Sequence, residues 1–214
     1  MNSLTKNLEG PIKRIILLQR EDGCIPWTED GVFDAWNHLE CVMALNTLGH
    51  SREAELGFTY LQKNQLEDGS WLGELGSTLE IDENRGTFIN RDKNSKIFFR
   101  DTNFAAYIAT ACWHDFLVNK SINNLTKNWN MIENAINFVI ENQMHDGSIR
   151  WAAKSREAPE DDSLLTGCCS IYKSMICAIN CATQLNKEKP EWIISLKKLE
   201  NTIRNKPESF DKTW

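Results

Sequence analysis

No stretch of this chain approaches the roughly 20 consecutive apolar residues that a membrane span needs. No basic block occurs either. Its 24 lysines and arginines face 30 aspartates and glutamates, for a net charge of −6. Non-specific nucleic-acid binding needs a positive footprint, so no nucleic-acid partner is expected. The first residues, Met1-Asn2-Ser3-Leu4-Thr5-Lys6, carry no long apolar core, and no signal peptide is expected. Paired cysteines are lacking as well. The seven, Cys24, Cys41, Cys112, Cys168, Cys169, Cys177 and Cys181, are odd in number and lie mostly inside apolar helical runs. There they act as small buried hydrophobes, which points to a reducing, cytoplasmic setting. Alternating strands are missing, and so is any Asn-Gly hairpin between apolar runs. The expected class is all-α.

What is present is helical periodicity. Leu8, Ile12, Ile15, Ile16 and Leu18 mark a first helix, and Val32 to Leu48 a second, closed by Gly49. Ser51 is a good N-cap for a third, carrying Ala54, Leu56, Phe58 and Leu61. Polar residues and glycines over 72–100 predict a long loop, of the kind that is usually functional or disordered. Asp101 begins a fourth helix, and Trp129 to Gln143 form a fifth. After a polar loop from Ala152 to Glu160, Asp161 or Asp162 caps a sixth, and Pro190 opens a seventh that reaches about Arg204.

One phrase recurs three times. It reads Gln19-Arg20-Glu21-Asp22-Gly23-Cys24-Ile25-Pro26-Trp27, then Gln65-Leu66-Glu67-Asp68-Gly69-Ser70-Trp71, then Gln143-Met144-His145-Asp146-Gly147-Ser148-Ile149-Arg150-Trp151. Recurrence at the ends of amphipathic helices signals a repeat architecture. The glycine permits a positive φ as the chain leaves a helix, and the aspartate bonds local amides. The glutamine suits free carbonyls of its own or a neighbouring turn. The tryptophan offers an apolar plate over the joint between hairpins. Helices before the turn are amphipathic and charged, whereas those after it are apolar around much of their circumference, hence buried. Outer helix, turn and inner helix stack into an α/α solenoid or toroid, with residues 1–214 forming one domain.

The phrase resembles the QW motif of squalene-hopene cyclase-like terpenoid cyclases, whose α/α toroid is shared with protein prenyltransferases. Trp36-Asn37-His38-Leu39-Glu40-Cys41, Asp101-Thr102-Asn103-Phe104 and Leu165-Thr166-Gly167-Cys168-Cys169-Ser170 are similar to bacterial proteins named prenyltransferases. The resemblance implies an isoprenoid or other apolar substrate in the cavity, and a cyclase or transferase role. It also implies the N-terminal part of a longer toroid, or an open edge covered by another subunit. The family's Asp-x-Asp-Asp acid motif is missing; Pro159-Glu160-Asp161-Asp162 comes nearest. So is the Asp-x-Cys zinc signature of the prenyltransferases. No cofactor is expected, with zinc or magnesium as the lesser alternative. His38 with Cys41, and Cys177 with Cys181, give only two ligands each.

Every inner helix starts at the same end of such a toroid, so their first residues converge on one mouth. Acidic side chains there serve as N-caps, or crowd together and raise one another's pKa. The candidate catalytic residues are Asp101 and Asp162, assisted by Asp34 and His38. Trp36, Asn37, Asn103, Tyr107, Asp161, Thr166 and Tyr172 are the candidate substrate contacts. Two further readings stand beside the cyclase. Asp101-Thr102-Asn103 at a helix head, followed by Trp113-His114-Asp115, is similar in style to six-hairpin glycoside hydrolases, which need two opposed carboxyl groups. A non-catalytic toroid holding a lipid or a partner chain is the other.

Overall fold

The computed structural model describes residues 7–29, 31–73, 100–153 and 162–212. Among these, seven α-helices run α1 (Glu9–Leu18), α2 (Ala35–Thr47), α3 (Ser51–Asn64), α4 (Thr102–Asn119), α5 (Ile122–Glu141), α6 (Leu165–Gln184) and α7 (Pro190–Asn205). They form an α/α toroid arc of the expected all-α class. The inner helices α2, α4 and α6 pack side by side, with α4 in the middle. The outer helices α3, α5 and α7 back them. A two-residue antiparallel ladder, β1 (Arg100–Asp101) against β2 (Ala152–Ala153), was not foreseen, being too short for any alternation to register.

A side-chain cap sets three of the seven helix starts. The Asp34 carboxylate accepts from the Asn37 N–H (2.8 Å), Asp101 from Phe104 (3.0 Å) and the Ser121 hydroxyl from Asn124 (3.1 Å). Helix α5 begins seven residues before the Trp129 expected from apolar spacing. Its first residues, Ile122-Asn123-Asn124, lie ahead of the apolar run, but the Ser121 cap and the buried Leu125 and Asn128 make them helix. Helix α6 begins at Leu165 with no side-chain cap. Asp162, expected to cap it, instead accepts from the backbone N–H groups of Ser163 (2.8 Å) and Lys212 (3.1 Å). Asp161, the other expected cap, lies outside the described residues.

The three repeated phrases fasten each outer helix to the next. The amide of Gln19 donates to the carbonyl of Gly23 in its own turn (3.2 Å) and to Glu53 on α3 (2.8 Å). Gln65 does the same with Gly69 (2.8 Å) and Met131 on α5 (2.9 Å). Gln143 does it with Gly147 (2.9 Å) and Ser195 on α7 (3.0 Å). Each aspartate accepts from the N–H two residues on: Cys24, Ser70 and Ser148, at 3.0, 3.1 and 3.0 Å. The glycines have positive φ, and a Cβ at Gly69 would lie 2.2 Å from the Asn134 carbonyl oxygen of α5. The turn therefore seats directly on the neighbouring helix backbone, which only glycine allows.

Behind these turns the core is continuous. Leu39, Val42, Leu45, Ile108, Ala109, Ile132, Ile136, Ile171, Met175 and Ala178 are all buried between the two layers. Six cysteines are buried or half-buried, and only Cys169 is exposed. Among the described residues no helix is long and apolar enough to cross a membrane.

Candidate functional site

The heads of α2 and α4 bring two carboxyl groups to one end of the arc. Asp34, fully buried, is the N-cap of α2. Its oxygens accept from the Asn37 N–H (2.8 Å), the Asn37 side-chain amide (2.7 Å) and the indole N–H of Trp27. Asp101 caps α4. Burial pushes its carboxyl up to about 7, against the lowering effect of the Phe104 and Asn103 amides, and the charge of Asp34 raises it further. A carboxyl near neutrality, facing a cavity and within reach of the Asp34 charge, is suited to acid–base work.

A cavity of about 330 Å³ opens beside Asp101 between the heads of α4 and α6. Asn103, Trp151, Thr166 and Ser170 line it, with Trp36 at its edge. The Asn103 side-chain oxygen is buried there without a hydrogen-bond partner among the described residues. Such an acceptor is costly to leave unmet, so it marks a place for an incoming donor. Trp36, 37% exposed, forms an aromatic wall with Phe104 and Tyr107, ring centroids 5.7 and 5.9 Å away. The Tyr107 hydroxyl donates to the Glu40 carboxylate; burial first, then this bond, pushes the phenol up to about 12. The third turn is tied in as well: the Thr102 hydroxyl donates to the Arg150 carbonyl (2.6 Å) and its N–H to that of Trp151 (3.1 Å).

The other expected residues fall elsewhere. His38 is fully buried behind Asp34. Its Nδ1 accepts from the Ile25 N–H (3.1 Å) and its Nε2 lies 3.0 Å from the Gly57 carbonyl, so the tautomer carries its proton on Nε2. Burial lowers its pKa to about 4 and keeps the ring neutral. Asp162 is buried on the α6 side, its carboxylate held by backbone N–H groups as described. Tyr172 packs half-buried against the core.

Four residues of the mouth were not singled out from sequence: Trp27, Glu40, Phe104 and Trp151. For the tryptophans a signal was present. Trp71 stands two residues after its glycine, is 2% exposed and donates its indole N–H to the Leu61 carbonyl (2.9 Å). In the other two copies that position holds Ile25 and Ile149, both buried. Trp27 and Trp151 stand four residues after the glycine. The plate position and the mouth position are thus different places in the phrase, and one structural role for all three tryptophans was an error of alignment.

No family model matches the chain. It is 34% identical over 192 residues to the MMP endo-(1,4)-3-O-methyl-alpha-D-mannosidase of Mycolicibacterium hassiacum, covering 90% of this chain and 49% of that protein. The chain thus spans about half the length of the curated relative it matches. Among solved structures, an unsaturated glucuronyl hydrolase specific for heparin superposes with a TM-score of 0.63 at 14% identity, covering 91% of this chain and 53% of the other. The unsaturated glucuronyl hydrolase of Bacillus sp. GL1 gives 0.60 at 14% identity, covering 94% and 55%. A D-mannose isomerase gives 0.57 at 13%, covering 94% and 51%. At these identities the structural matches show the fold alone.

These findings overturn the terpenoid cyclase and prenyltransferase resemblance, together with the isoprenoid or apolar substrate and the transferase role it implied. The relative is a mannosidase, and the fold superposes on that of unsaturated glucuronyl hydrolases. The physical reason lies in the repeated phrase. Its glutamine, aspartate and glycine fasten one outer helix to the next, a task any α/α toroid faces whatever its chemistry. A packing device therefore carried the resemblance.

Proposed function

We propose that this chain supplies the carboxyl-bearing mouth of a glycoside hydrolase acting on a 1,4-linked α-D-mannoside chain of the kind named for its relative. The observation that carries the reading is Asp101, pushed up to about 7 and lining the cavity at the helix heads, with the charge of Asp34 near enough to raise it further. Glycoside cleavage needs one carboxylic acid to protonate the leaving oxygen and one carboxylate to act as base or nucleophile. Asp101 is the acid, since it still holds its proton near neutrality. Asp34, buried and held by Trp27 and Asn37, supports it by raising its pKa. Trp36 and Tyr107 offer ring faces against a sugar, and Asn103 accepts from a hydroxyl. Asp162 and His38 hold the heads of the helices in place.

The test is product analysis by mass spectrometry and chromatography after incubation with 1,4-linked α-mannooligosaccharides, with and without 3-O-methylation. Cleavage should fall about 10²–10⁴-fold in Asp101→Asn. Its rate should decline as pH rises through about 7, because the acid form of Asp101 is then lost. Equal activity in the parent and Asp101→Asn would sink the assignment.

A further inference from the structure

A second cavity, of about 230 Å³, lies at the far end of the hairpins from the mouth. Asp115 lines it on α4, fourteen residues beyond Asp101, or about 21 Å along the helix at 1.5 Å per residue. Three helices converge on that carboxylate, which is only 4% exposed. Side-chain amides donate to it from Asn46 on α2 (2.8 Å), Asn119 on α4 (2.7 Å) and Asn124 on α5 (3.3 Å). Asn128 faces the same cavity, 5% exposed, and its amide bonds no other described side chain or backbone group. At the rim the Lys127 ammonium pairs with Glu55 at 2.7 Å.

We propose that this cavity is a second binding site, for a small, neutral, hydroxyl-rich ligand such as a single sugar unit. Its volume is below the roughly 300–1,000 Å³ of sites for drug-sized ligands, so the occupant is small. Each carboxamide offers both a donor and an acceptor, which is what neighbouring hydroxyls need. An apolar occupant would strand the Asn128 amide. An anion would meet the Asp115 and Glu55 carboxylates. A cation would meet N–H donors already directed at Asp115. The inference stands on the cavity's own chemistry and does not depend on what the mouth does.

Titration of the ¹⁵N-labelled chain, followed through its asparagine side-chain amides, tests this. The probes are methyl α-D-mannopyranoside, methyl α-D-glucopyranoside, calcium chloride and sodium phosphate. The expected result is a saturable shift of the Asn119, Asn124 and Asn128 amides with at least one glycoside at up to about 50 mM, a millimolar-range affinity. The same shift should persist in Asp101→Asn, which separates it from the mouth. Asn128→Ala removes no internal hydrogen bond and should weaken the response about tenfold, with Lys127→Met as the second variant. No response to either glycoside, a response to calcium or phosphate alone, or full binding by both variants overturns the proposal.

Discussion

Asp101, half-buried, and His38, fully buried, are ionisable groups whose protonation pulls stability in opposite directions. The folded-state pKa of Asp101 is about 7, above its ordinary 3.8. Its stabilising contribution is therefore complete below about 3.8 and lost as pH rises through about 7. His38 has the reverse sign. With a folded value of about 4 against 6.5, its contribution is present above about 6.5 and lost as pH falls through about 4. Across the shared window the two slopes oppose each other. Asp101→Asn removes one of them while keeping an effective N-cap. Its thermal midpoint should exceed the parent's above pH 7, and the gap should close toward pH 4. The ceiling on the gain is roughly 4 kcal/mol. A gap independent of pH would place Asp101 in the ordinary carboxyl range. For His38, the ring proton resonances in an NMR titration should hold steady until the pH nears 4; a midpoint near 6.5 would contradict its burial between Ile25 and Gly57.

Among the elements, the turns govern how the hairpins stack. Each of the three glutamine amides donates twice, once within its own turn and once to the following outer helix. Gln65→Leu, which loses both, should lower stability by about 1–3 kcal/mol in a denaturant titration. Gly69→Ala should cost more, at least about 2 kcal/mol, because the new Cβ meets a backbone oxygen 2.2 Å away and the φ of +89° disfavours it. Should Gly69→Ala prove as stable as the parent, the direct seating of the turn on α5 would be refuted. The expected starts held at Asp101, Pro190 and, within a residue, Ser51, whereas α2 begins at Ala35, three residues after the expected Val32. They slipped at α5 and α6. There, the helix began ahead of the apolar run in one case, and an aspartate spent its bonds on other backbone groups in the other.

For the whole molecule, α4 is the centre of gravity. It packs against α2, α5 and α6 at once, whereas α1 touches chiefly α2. Stacked hairpins draw stability from such neighbour contacts. Amide hydrogen exchange should therefore be slowest in α4 and fastest, among the helices, in α1; the opposite order would mean the arc is not organised around its middle hairpin. The chain's own residues determined a good deal of this. Helical periodicity and the repeated Gln-x-x-Asp-Gly phrase specify an all-α toroid, because period and turn chemistry are local properties. Aspartates at the helix heads were legible for the same reason, since a cap lies within three residues of what it bonds. The convergence of Asp34 and Asp101 on one end followed from the hairpin order, whereas the turning of Asp162 toward the backbone of Ser163 and Lys212 could not be read along the chain. The division of the tryptophans was legible in their spacing after the glycine, two residues for Trp71 and four for Trp27 and Trp151, but what each position faces was not. The far cavity is the clearest case. Asn46, Asp115 and Asn124 come from three separate helices, and nothing but the stacking of hairpins, driven by burial of the core, brings them together.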